Sequence, residues 1–460
     1  MADPNQVIVI GAGISGLSCA YRLQQLGLPV TLLEASDRVG GLVGSYENNG
    51  FLFESGPQSF QGTEIILELI KQLGIENELQ TADPAAPRYV LLRGRLRKIP
   101  MTPQALLTST LLSPASRWKV LSEPFRRTRP PGSEETIGDF VRRKFGHEIL
   151  EYLVAPFVSG VYAGDPEKLS LRAAFPDLEE WEKKYGSVLR GAMKSRPSKG
   201  NRSGPPPLCS FRRGVATLTS TLGEKLGESL HTGVSVGAVN RSGRAEENSY
   251  QVRVSQDGRS EAILARAVVI ATPAYVAARL ISPVSEPLGR ALSGIAYAAV
   301  AVVAAGYSGK LTGDALDGFG FLVPRSEELH TLGTVWNSSL YPGRAPAGMI
   351  TMTSFAGGAT DPEIVEKSEE EIASIVVDEN ARVLEIAAGP TISAVWRHPK
   401  ALPQYNLGHG YIVEAIREVV RENPGLYFSG NYLEGPSLGK CVAQGMQTAE
   451  AVREYVKPGA

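Results

Sequence analysis

The sequence predicts an α/β unit joined to an α+β unit. Three observations predict it. Residues 6–33 run strand, glycine turn, helix, strand, which is a βαβ unit and so the start of a parallel sheet. Short β-branched runs return near Val252, Val254 and 267–270, and again at 426–429, as strands rejoining that sheet. Longer runs at 295–305, 319–323 and 349–355 read as strands of a second, mixed sheet. With 460 residues, 43% of them hydrophobic, the chain can bury the cores of two or three domains.

Each element has a local cause. Gln6 to Ile10 is β-branched; Ser15 to Leu26 carries apolar residues at helical spacing and stops at Gly27, and Pro29 to Leu33 is the second strand. Glu64 to Leu73 reads as a helix stopped by Gly74. Pro362 to Ala388 is acidic and helical, Glu414 to Val420 is a further helix, and Ala443 to Val456 closes the chain. Residues 194–207 are rich in Pro and Gly and read as a flexible surface loop. There are no internal repeats.

Composition excludes several function classes. Lys plus Arg number 47 and Asp plus Glu 48, so the net charge is −1 and no nucleic-acid footprint is visible. The three cysteines, Cys19, Cys209 and Cys441, form no CxxC pair, which argues against a disulfide framework or zinc site and for a reducing compartment. No secretory signal or transit peptide is read, and the longest apolar run, Ile295 to Ala305, is too short to span a bilayer. Local charge differs: residues 88–129 hold ten Lys or Arg against one acid, Glu123, around the apolar stretch 105–112.

The first turn carries chemistry. Gly11, Gly13 and Gly16 stand as GAGISG between a strand and a helix. The first glycine permits the turn, the second lets a pyrophosphate approach the backbone, and the third lets helix and strand close together, with the helix N-terminus facing the phosphates. Glu34 ends the second strand, where an acid can accept from ribose hydroxyls. These residues predict a Rossmann-like dinucleotide site and by themselves leave NAD and FAD open.

The next segment, Ala35 to Gly41, contains Arg38-Val39-Gly40-Gly41 and resembles the RxGG signature of amine-oxidase and protoporphyrinogen-oxidase flavoproteins. Near the C-terminus, Gly430-Asn431 and Glu434-Gly435-Pro436-Ser437-Leu438 match the segment that passes the FAD a second time in that superfamily. The resemblance to the protoporphyrinogen oxidase family, in its plant and bacterial form, then extends in order through ESGPQSF at 54–60 and VYAGD at 161–165. SFRRG at 210–214, GFGFLVP at 318–324, PQYNLGH at 403–409 and GNYLEGPSLGKC at 430–441 continue it.

The resemblance implies an oxygen-dependent FAD oxidase that converts protoporphyrinogen IX to protoporphyrin IX, with non-covalent FAD and hydrogen peroxide as by-product. The alternatives are a coproporphyrinogen III oxidase, another flavin amine-oxidase-like enzyme or carotenoid desaturase, or a non-enzymatic relative of the Rab GDP-dissociation inhibitors. It implies FAD contacts at Gly11, Ala12, Gly13, Ile14, Ser15 and Gly16, at Glu34, Ala35, Arg38, Gly41 and Leu42, and at Gly56, Pro57, Gln58 and Ser59. Val236, Gly430, Pro436, Ser437 and Leu438 complete that set. It places Arg88 near a substrate propionate, Phe319, Leu322, Val335 and Phe355 around the macrocycle, and the Gly164 backbone at the inner ring. None of His147, His231, His330, His398 and His409 sits in a catalytic or metal-spaced array, so no base and no metal are assigned.

The expected division is a discontinuous FAD domain at 1–85, 208–280 and 425–460, a substrate domain at 281–424, and a small helical, membrane-facing domain at 86–195. The basic segment at 88–129 is where the family carries that membrane-facing unit. It implies peripheral attachment to an anionic membrane surface, on the cytoplasmic face of the cytoplasmic membrane. A homodimer is compatible with the resemblance, which leaves the oligomeric state open.

Overall fold

A computed structural model describes residues 6–126, 128, 134–194, 206–242, 249–308 and 316–457. Most of the loop read at 194–207 lies outside the described residues, as do Arg127 and Arg129 of the basic segment.

The core of the first unit is a five-stranded parallel sheet. Its order is Leu230–His231, Val30–Leu33, Val7–Ile10, Ala267–Ile270, Leu426–Phe428. Val7–Ile10 and Ala267–Ile270 are buried throughout, as expected of parallel strands covered on both faces. Helices Ile14–Gln25 and Leu438–Val456 cover one face, and Gly445 lets them touch: a Cβ there would overlap the carbonyl of Ser15. Over the other face lies an antiparallel three-stranded sheet, Ser235–Arg241, Tyr250–Gln256 and Arg259–Ala265.

The second unit is a seven-stranded mixed sheet. Its order is Ile392–Pro403, Tyr297–Ser308, Met349–Gly357, Thr331–Val335, Gly320–Leu322, Arg88–Leu92, Arg95–Lys98. Every pairing is antiparallel except that of Gly320–Leu322 with Arg88–Leu92. Helix Glu369–Leu384, opened by a capping box at Ser368 and Glu371, backs one face.

The third unit is helical. Pro103–Thr108 to Val188–Lys194 pack around Phe140, Val158, Leu150 and Leu171, and Val90 of the mixed sheet joins that core. A buried charge cluster braces it: Lys144 meets Glu182 at 2.9 Å and Glu123 at 3.4 Å, and Arg143 bridges Glu182 and Glu135.

The segment expected to open the helical domain at 86 begins with two strands of the mixed sheet, because Val90 and Leu92 alternate with Tyr89 and Leu91 to bury both faces. The helices Glu286–Ser293 and His409–Glu422, inside the expected substrate domain, pack on the parallel-sheet core through Leu288, Leu292 and Ile416.

Candidate functional site

The glycine turn leaves an open cradle. Gly11 takes φ +101°, and a Cβ on it would lie 2.8 Å from the Ala271 carbonyl oxygen. A Cβ on Gly16 would overlap the Gly11 carbonyl, so only glycine lets the helix start this close to the strand. Gly13 caps that helix without a side-chain hydrogen bond, and a Cβ there would meet nothing within 4 Å. The first-turn amides thus face open space at the positive end of the helix dipole, a place suited to a pyrophosphate. Ala12, Ile14 and Ser15 flank this opening. The donor set and the space fit a dinucleotide.

Glu34 turns back on the cradle. Its carboxylate accepts from the Ala12 amide at 2.7 Å and the Ser36 amide at 2.9 Å. It also accepts from the Ser36 hydroxyl at 2.8 Å, and of its four lone-pair sites one is left for a ribose hydroxyl. Val236 lies beside this strand end, in a segment where the Val234 amide donates to the Glu34 carbonyl at 2.9 Å. The expected loop from Ala35 to Leu42 folds over the turn: the Gly40 amide donates to the Ala12 carbonyl at 2.8 Å, and Gly41 takes φ +60° against Gly13. Arg38 spends its guanidinium on the carbonyls of Gly41 at 2.8 Å and Val43 at 3.1 Å, so it shapes this loop.

The segment Gly56, Pro57, Gln58, Ser59 lies flush on that loop, for a Cβ on Gly56 would overlap the Leu42 carbonyl. Buried Gln58 donates to the Gly56 carbonyl at 2.8 Å and accepts from Asn337 at 2.7 Å. From the far end of the chain, the Gly430 amide donates to Gln444 at 2.7 Å. Pro436 precedes Ser437, whose hydroxyl caps the helix beginning at Leu438. Cys441 is buried there and its thiol is pushed up to about 11, which makes it a poor nucleophile for a flavin link.

The mixed sheet presents the other set of residues. Register places Val90, Leu322, Gly333, Phe355, Val302 and Trp396 opposite one another across six strands, so their side chains share a face. The next row on that face holds Arg88, Gly320, Val335 and Thr353. Four residues that the sequence reading grouped from distant segments, Arg88, Leu322, Val335 and Phe355, therefore stand together. Phe319 joins them: the exposed Arg88 guanidinium lies 5.2 Å over its ring. Leu322 reaches toward helix Ala155–Tyr162, where a Cβ on Gly160 would be 2.7 Å from it. Gly164 follows that helix, wedged between Leu169 and Gln404, and Gln404 donates to the Tyr162 carbonyl at 2.9 Å.

Two side chains to which the sequence assigns no site role join the halves. His398 lies on the row beyond Trp396, and its Nε2 is 2.7 Å from the Ser55 carbonyl, one residue before Gly56. Asn337 bridges Gln58 to Thr353, whose hydroxyl donates to it at 2.9 Å. Only the tertiary register shows their partners. A cavity of about 180 Å³ beside the Gly164 loop, between Asp165, Lys168, Tyr297 and Gly358, touches neither the cradle nor this face.

His409 is buried with Nε2 at 2.8 Å from the Tyr432 carbonyl, and burial lowers its pKa. Among the described residues no group of His, Cys, Asp and Glu could hold a metal ion, and no helix is long and apolar enough to cross a membrane.

The family model "Flavin containing amine oxidoreductase" matches residues 14–453. The chain is similar to protoporphyrinogen oxidase 1, chloroplastic, of Spinacia oleracea, at 35% identity over 98% of this chain and 84% of the relative. It is also similar to coproporphyrinogen III oxidase of Bacillus subtilis (strain 168), at 28% identity over 98% of each chain. Among solved structures, a protein of Exiguobacterium sp. 255-15 matches with a TM-score of 0.82 and 24% identity over 98% of this chain and 99% of that one. Cyclohexylamine oxidase from Brevibacterium oxydans IH-35A matches with a TM-score of 0.70 and 18% identity, over 98% and 99%.

Proposed function

Since the chain belongs to the flavin-containing amine oxidoreductase family, we propose that it oxidises protoporphyrinogen IX to protoporphyrin IX in tetrapyrrole biosynthesis. The chain is an FAD-dependent oxidoreductase. The observation that carries the substrate reading is the sheet face just described. An apolar row reaches from Leu322 to Phe355 and Trp396, with Arg88 beyond one end and the Gly56 segment at the other.

Bound FAD supplies a two-electron acceptor that dioxygen can reoxidise. A porphyrinogen loses six hydrogens on becoming a porphyrin, so three rounds and three molecules of dioxygen, leaving as hydrogen peroxide, balance the reaction. The chain's own work is binding and orientation. The open amides around Gly13 would hold pyrophosphate and Glu34 the ribose. Leu322, Val335 and Phe355 offer a dry apolar face to the macrocycle, and Arg88 a bidentate partner for a propionate. The ring is electron-rich, and no side chain on this face is assigned as a base.

Aerobic turnover of protoporphyrinogen IX and coproporphyrinogen III by the purified holoprotein, read as porphyrin fluorescence, tests this. Faster turnover of protoporphyrinogen supports it. Oxidation of amines in place of either porphyrinogen would refute it. A coproporphyrinogen reading is the second choice, favoured by the Bacillus subtilis relative.

Peripheral membrane attachment belongs to the same reading. Trp118, Leu121 and Phe125 are 70%, 50% and 84% exposed on the helical unit, beside Arg117, Lys119 and Arg126. Apolar side chains ringed by cations suit an anionic bilayer surface, at about 1 kcal/mol per cation. Flotation with anionic vesicles should show binding that weakens with salt, because surface charges are screened over roughly 8 Å at physiological ionic strength. No binding at low salt would refute the attachment.

A further inference from the structure

We propose that Arg97 is a second carboxylate-binding residue of the substrate face, set beside Arg88 so that the two guanidiniums hold two propionates from neighbouring rings of one macrocycle. The inference rests on the porphyrinogen reading and deepens it.

Register places Arg97. It pairs with Val90, which pairs with Leu322, so Arg97 extends the apolar row by one strand on the same face. Its strand neighbours fix that assignment independently. Ile99 packs with Leu92 into the helical core on this face, and Leu96 packs on the opposite face with Leu91. The Ile99 amide donates to the Arg88 carbonyl at 2.7 Å, so Ile99 stands across from Arg88 and Arg97 is its diagonal neighbour. Diagonal cross-strand neighbours are roughly 7–8 Å apart, within reach of long side chains.

The hairpin that carries the arginine is held at its turn, and the side chain is uncommitted. Both Glu327 oxygens grip the hairpin turn, accepting from the Arg93 amide at 2.5 Å and the Gly94 amide at 3.0 Å. Arg97 itself is exposed and has no ion-pair partner among the described residues. Arg88 likewise has only the Phe319 ring. Two unpaired guanidiniums side by side, at the end of an apolar row, match a ligand with two carboxylates on one edge and an apolar body. The far end of the row is Phe355, Val302 and Trp396, with no cation on the row to receive further carboxylates. A macrocycle with two adjacent propionates and an apolar opposite edge fits both ends. One with four propionates would lay two of them on the aromatic end.

The test uses the purified holoprotein in detergent, which removes any membrane role of the basic strand. Protoporphyrin IX and its dimethyl ester are titrated by fluorescence against wild type, Arg97→Gln and Arg88→Gln, and KM for protoporphyrinogen is measured in parallel. Loss of a hydrogen-bonded ion pair predicts about tenfold weaker binding of the free acid by Arg97→Gln and a similar rise in KM, with flavin content retained. Binding of the dimethyl ester should be the same in wild type and variant. Unchanged binding of the free acid by Arg97→Gln, or an equal loss with the ester, would overturn the proposal while leaving the porphyrinogen reading intact. Failure of the wild type to bind or oxidise any tetrapyrrole would overturn both.

Discussion

Arg88 and Asn337 do different work at the residue scale. Arg88 is exposed and tied only to a ring, so removing it leaves no buried group unpaired. Arg88→Ala should retain its FAD yet lower kcat/KM about ten- to a hundredfold, since hydrogen bonds to charged groups contribute roughly 1.5–3 kcal/mol. If kcat/KM in detergent stays normal while vesicle binding is lost, the arginine is an anchor. Asn337→Leu, in contrast, strands the buried Gln58 oxygen and the Thr353 hydroxyl. It should lower stability by about 1–3 kcal/mol per stranded group, seen as a lower Tm and looser FAD. The expectation for Arg88 comes from flanking text that carries a family pattern. The bridge made by Asn337 has no such signal, because its partners Gln58 and Thr353 lie in separate segments.

Where an element's cause is local, the sequence shows it. Glu64–Leu73 stops at Gly74 as read, because a left-handed cap needs glycine. The closing helix starts at Leu438, five residues before the expected start, because Ser437 caps it and the glycines Gly439 and Gly445 are tolerated through close packing. The strands Arg88–Leu92 and Arg95–Lys98 were obscured by their charge, and their parallel neighbour Gly320–Leu322 is remote in sequence. Tight glycines set the cofactor elements. Gly16→Val would force the first helix off the Gly11 carbonyl and misplace its N-terminal amides. That variant should purify without yellow colour, whereas Gly27→Asn, at an open left-handed cap, should keep it. Acid precipitation of wild type should release all flavin, consistent with the raised thiol pKa of buried Cys441.

On the scale of the whole molecule, one buried ion pair ties a loop of the mixed-sheet unit to the cofactor segment. Arg344, in a loop of the mixed-sheet unit, meets Glu54 at 2.6 Å, and both are 1% exposed. Arg344 also donates to Ser210 at 2.5 Å, while Glu54 accepts from the Val215 amide at 3.0 Å and from Ser45. Glu54 immediately precedes the segment Ser55–Ser59, so the pair fixes where that segment leaves its strand. Burial pushes the Glu54 carboxyl above its ordinary range, and Arg344 pulls it back. Arg344→Met removes the opposing pull and leaves a lone buried carboxylate, a change that costs about 3–5 kcal/mol. The sign of its pH dependence follows. With Glu54 raised further in the folded variant than in the unfolded chain, folding takes up a proton, so the variant is least impaired at low pH. Its stability falls as pH rises through the raised value. Thermal unfolding of Arg344→Met near pH 5 and pH 8 should therefore show the larger loss at pH 8. The double variant Glu54→Gln with Arg344→Met has no charge to bury and should recover part of the loss, with little change between the two pH values. A pH-independent loss in the single variant would mean that Arg344 stabilises through packing on Tyr341 and its hydrogen bonds to Ser210 and Phe211, and that the Glu54 charge is not what the pair neutralises.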